Sequence, residues 1–122
     1  MIARLNDYLT KQNDLILEMI KNVDYELKNF HKFNANQLYE ISEAKEELME
    51  NFISLKGEID IYINNHKSEI SENENLFKTI KKNMDIFKEK NKKLLLITLG
   101  MKELYDNIIE NTEETNIINM EI

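Results

Sequence analysis

The residues of this chain with chemistry in their side chains are few, and their spacing works against catalysis. His31 and His66 each follow a long helical pattern, so in an antiparallel hairpin they fall at opposite ends, tens of ångströms apart at about 1.5 Å of rise per residue. Neither belongs to a Glu-x-x-His or His-Glu-x-x-His pattern, which leaves the carboxylate-bridged and zincin metal chemistries without ligands. Both read as surface histidines. Glu46 with Glu47, and Glu113 with Glu114, are paired carboxylates that could in principle divide acid and base roles. Adjacent helical residues point about 100° apart, however, and nothing nearby shapes a pocket or raises a pKa. The chain has no cysteine, which removes thiolate nucleophiles, thiolate metal sites and disulfides together. Gly57 and Gly100 stand alone, so there is no phosphate-cradling loop, and no serine occupies a nucleophile elbow. The expectation is a protein that is not an enzyme and holds neither metal nor cofactor.

One cluster of charge remains. Lys78, Lys81, Lys82, Lys88, Lys92 and Lys93 lie opposite Ile80, Met84, Phe87 and Asn91 on a helical wheel, so they form the wet face of an amphipathic helix. The stripe is locally positive in a chain whose formal charge is -7, which leaves it a secondary role in meeting an acidic partner or a membrane surface. The acidic balance gives nucleic-acid binding no support.

The elements that carry these residues are helices. Proline is absent, glycine occurs twice and charged residues make up 32% of the 122 positions, a composition with almost no vocabulary for tight turns. In the first segment Leu5, Leu9, Ile16, Met19, Val23, Leu27 and Phe30 recur by threes and fours or their sums, interrupted by Gln12 and Glu26. HKFNAN at 31–36 breaks the pattern, and Asn34 with Gln37 reads as an N-cap and its reciprocal partner. The second segment repeats as a heptad seam through Leu38, Ile41, Lys45, Leu48, Phe52, Leu55, Ile59 and Tyr62, with Glu40, Glu43, Glu46, Glu47 and Glu50 pointing outward. After a polar stretch, Ser71 with Glu74 suggests a second capping box. A third seam then runs through Leu76, Ile80, Asn83, Phe87, Asn91, Leu94, Thr98, Met101, Tyr105 and Ile108.

Short connections make neighbouring helices antiparallel. The expected fold is all-α: an elongated antiparallel three-helix bundle with coiled-coil-like packing. Its helices span about 2–31, 36–64 and 72–111 in a single domain, residues 1–111, followed by a flexible acidic tail, residues 112–122. No basic-then-apolar leader opens the sequence and no apolar run approaches the roughly 18 residues of a membrane span, so a cytoplasmic location without stable membrane insertion is expected.

The stretch from Lys92 to Ile109 departs from the amphipathic rule. Leu94, Leu95, Leu96, Ile97 and Leu99 fall all round the helix axis, and two other helices can cover only part of that circumference. Three readings of this surplus stay open: a fully buried central helix, a homodimer seam, and a groove that takes a partner's helix.

The order of parts resembles the FlgN-type flagellar export chaperones over roughly residues 5–111. Asn36, Leu38, Ile41, Lys45 and Leu48 match the opening of a helix in that family, and Asn83, Asn91, Leu94 and Leu95 match its last helix, where asparagines precede a leucine run. The resemblance implies a cytoplasmic chaperone of flagellar type III secretion. It would bind the C-terminal helices of hook-filament junction proteins through its last helix, prevent their premature assembly and deliver them to export-gate or ATPase components. The resemblance places that binding surface at Leu95, Leu96, Leu99, Met101, Leu104, Tyr105, Ile108 and Ile109, with anchors suited to an amphipathic helix. The tail lacks the tyrosine-glycine element common in that family, since no tyrosine follows Tyr105. Two other readings stay open: a homodimeric coiled-coil structural or adaptor protein whose third helix completes the bundle, and a related chaperone for the filament cap or flagellin.

Overall fold

Every regular element of the computed structural model is helical, and the protein is all-α. The structure describes the backbone of residues 4–121 and the side chains through Gly100 and at Glu103 and Asn107. Helix α1 spans Leu5–Asn29, a single 3-10 turn spans Phe30–Lys32, α2 spans Ala35–Asn65, α3 spans Ser68–Glu72 and α4 spans Glu74–Glu121. The chain divides into two units, Met1–Lys90 and Asn91–Ile122.

The core of the first unit is built on α1. Leu5, Leu9, Ile16, Met19 and Val23 are buried along the stripe the sequence marks out, and Ile59 of α2 and Ile80 and Phe87 of α4 are buried with them. Each such side chain contributes about 1.5–3 kcal/mol relative to exposure. Tyr8 stacks at a tilt on Tyr62, 5.1 Å between ring centroids, and Glu26 pairs with Lys45, so α2 runs antiparallel to α1. Asn13 accepts a hydrogen bond from the Asn83 amide at 2.8 Å, and Asp24 pairs with Lys90, so the opening of α4 runs parallel to α1.

The start of α2 follows the sequence closely. Asn34 Oδ1 accepts from the Gln37 N–H at 2.9 Å and Gln37 Oε1 accepts from the Asn34 N–H at 3.0 Å, which satisfies two donors a helix start otherwise leaves orphaned. The second expected capping box does not form. Ser71 lies inside the short helix α3, where its hydroxyl donates to the Ser68 carbonyl one turn back, and α4 begins at Glu74 rather than near residue 72. The backbone of α4 is helical through Glu121, ten residues past the expected helix end at 111. Leu38, expected on the α2 seam, is half-exposed because the Glu26–Lys45 pairing places it opposite residues beyond the end of α1. Asn91, expected on the α4 seam, is exposed.

Candidate functional site

Helix α4 carries the expected partner-binding residues in the second unit. The run Lys92–Thr98 favours a helix because lysine and leucine lose little rotamer freedom there, and the Thr98 hydroxyl is absorbed by the Leu94 carbonyl one turn back at 2.8 Å. Leu94 is buried at 6% exposure, while Leu95, Leu96 and Leu99 are 58%, 59% and 48% exposed. At about 100° per residue these three leucines fall roughly 100°, 200° and 140° round the axis from Leu94. They form one contiguous apolar stripe about 100° wide, the width at which a helix normally demands a packing partner.

The other five expected site residues, Met101, Leu104, Tyr105, Ile108 and Ile109, lie on the helical backbone of α4, but their side chains fall outside the described residues. In helical register Met101, Tyr105 and Ile108 line up with Leu94 rather than with Leu96 and Leu99. The eight positions therefore belong to more than one face. Among the described residues no group of three or more histidines, carboxylates or cysteines gathers as a metal site would need, and no helix is long and apolar enough to cross a membrane.

A polar centre that sequence reasoning missed ties the start of α1 to α3. Arg4 precedes α1 and is a poor N-cap, since its side chain only donates. Its own N–H is taken by Asp7 Oδ2 at 2.9 Å, and the Leu5 N–H is taken by Glu69 Oε1 at 3.3 Å, from 64 residues away. Glu69 also accepts from the Tyr62 hydroxyl at 2.6 Å and lies 3.5 Å from Arg4 Nε. Asn73, buried, donates to the Glu69 carbonyl and accepts from Asn6. The Tyr62 hydrogen bond holds the Glu69 carboxyl below its usual range, helped by the Leu5 N–H and Arg4 against the opposing effect of burial. The same bond pushes Tyr62 upward. His66 stacks on Tyr62 at 4.0 Å with its ring nearly parallel. With its donors supplied by its neighbours, Glu69 serves as a helix cap delivered from a distance. The arginine at the cap position was the available signal.

Two interruptions in the sequence pattern answer each other. Glu26 on α1 and Lys45 on α2 both break apolar seams, and Lys45 Nζ lies 2.8 Å from Glu26 Oε1. That oxygen is buried without an aligned hydrogen bond, so the contact is a charge pair rather than a directed bond. Asn83 likewise finds its partner in Asn13. His31 lies in the 3-10 turn, edge-on to Phe30. Glu46 and Glu47 are exposed. No family model matches this chain, and neither the curated proteins nor the solved structures contain a match.

Proposed function

We propose that this protein is a cytoplasmic chaperone of flagellar type III secretion, similar to the FlgN-type chaperones, and that it folds as an elongated antiparallel three-helix bundle with coiled-coil-like packing. The observation that supports this reading is the stripe of Leu95, Leu96 and Leu99, about half-exposed or more on a helix whose Leu94 is buried. Soluble chains rarely leave large apolar side chains adjacent in this way without a partner. An amphipathic client helix, such as the C-terminal segment of a hook-filament junction protein, would cover that stripe with anchors at i, i+3, i+4 and i+7. Covering the client keeps it from assembling before export, and the chaperone releases it at the export gate.

The test is co-purification with a flagellar junction protein encoded in the same genome. Deleting residues 94–122, or the paired substitution Leu96→Glu and Leu99→Glu, is expected to abolish capture while circular dichroism still shows the helices of the first unit. Retained capture by both variants overturns the proposal. If wild-type chain captures no junction protein, and sedimentation shows a dimer that Leu96→Glu converts to monomer, the same stripe serves a homodimeric adaptor instead.

A further inference from the structure

The outer face of α2 carries a second apolar stripe. Ile61, Tyr39 and Ile53 are the three most exposed large apolar side chains among the described residues, at 68%, 65% and 62%. All three fall within about 80° of one another in helical register, on the side of α2 opposite the seam of Ile41, Leu48 and Ile59. Glu43, Glu46 and Glu50 share that line, and all are exposed. Gly57 sits on it between Ile53 and Ile61 with no atom within 4 Å of the space its Cβ would fill, so the helix surface is bare at that point. The stripe is thus acidic, apolar and open to close approach.

A surface of opposite character lies between α3 and the start of α4. An open groove of about 670 Å³ is lined by the apolar Ile70 and Phe77 and by Lys67, Lys78 and Lys81. Its one acid, Glu74, is engaged by Lys78 at 3.3 Å. Beyond the groove the basic character continues, with Lys82, Lys88, Lys90, Lys92 and Lys93 against Asp85 and Glu89. Neither surface involves Leu95, Leu96 or Leu99.

We propose that this groove receives the outer stripe of α2 from a second copy of the chain. Ile53 seats against Ile70 and Phe77, and Glu46 and Glu50 meet Lys67 and Lys81. Electrostatic complementarity sets partner choice and register, apolar contact supplies the attraction, and the bare surface at Gly57 lets the two backbones approach. The two faces differ, so the contact is heterologous.

That asymmetry yields a decisive experiment on the full-length chain. In sedimentation at about 25 mM salt the wild type is expected to self-associate, and about 500 mM salt is expected to reverse this. The paired variant Glu46→Lys with Glu50→Lys, and the paired variant Lys67→Glu with Lys81→Glu, are each expected to lose association at least about tenfold. Mixed one to one, they are expected to associate again, because the intact groove of one meets the intact stripe of the other and the two charge-reversed faces once more carry opposite charge. All four substituted side chains are exposed, and circular dichroism verifies that both variants fold. A monomeric wild type, a mixture that does not pair, or association lost on Leu96→Glu instead overturns the proposal. So does lysine-dependent binding to anionic lipid vesicles without self-association.

Discussion

Glu69 shows how one side chain can hold a fold together through its protonation state. Its carboxylate closes the start of α1, receives the Tyr62 hydroxyl and faces Arg4. Because the folded carboxyl titrates below its ordinary 4.5, the stability it contributes is complete above that value and is lost as pH falls through the lowered folded pKa. Tyr62 has the opposite linkage: its folded pKa is raised above 10.0, so its contribution is complete below 10 and is lost as pH rises through the raised value. One hydrogen bond therefore limits stability at both ends of the pH scale. Tyr62→Phe is expected to flatten both limbs, so thermal melts of the variant vary less than wild type between about pH 5 and 3 and again above about pH 10. Parallel pH profiles for the two proteins would refute this role for the bond.

Between elements, the Glu26–Lys45 pair and Gly57 test what positions α2. Lys45→Ala leaves the Glu26 carboxylate buried without its counter-charge and is expected to cost about 1–3 kcal/mol in urea unfolding, less than a fully buried pair because Lys45 is 35% exposed. Replacing both partners with leucine is expected to recover most of that loss, since an apolar pair fills the seam without desolvating charge. If the double replacement is no better than the single one, the pair is not coupled as described. Gly57→Ala is expected to stabilise by about 0.5–1 kcal/mol, because Ala lowers the cost of the helix and its Cβ enters open space. The apolar stripe of α1 and the Asn34–Gln37 cap were legible in the sequence because their causes are local, within three or four residues along one helix. Glu69 as the cap of α1, and Lys45 as the answer to Glu26, were not. Their partners lie 64 and 19 positions away, and the sequence shows only that a polar residue breaks a pattern. Helix α3 is hidden for a related reason: five residues are too few to set up a period, so the spacing of Ser71 and Glu74 reads as a cap that does not form.

For the molecule as a whole, residues 4–90 hold eight of the nine buried apolar side chains among the described residues, Leu94 being the ninth. Leu5, Leu9, Ile16, Met19, Val23, Ile59, Ile80 and Phe87 lie within that span, together with Glu69 on the start of α1 and the Asn13–Asn83 and Asp24–Lys90 links that fix the register of α4 against α1. The exposed apolar stripe of Leu95, Leu96 and Leu99 lies outside that span, so under the proposed function folding and partner capture would be carried by different stretches of α4. A fragment ending at Lys90 is expected to melt cooperatively with most of its helix content intact, at modest stability because a domain of this size buries a smaller fraction of its surface. Leu9→Ala within that fragment is expected to cost about 2–5 kcal/mol and to abolish the transition, as removal of a fully buried side chain from so small a core should. If the fragment instead shows a shallow, uncooperative loss of helicity, the chain beyond Lys90 contributes to folding itself. The exposed leucines could then not be assigned to a partner alone.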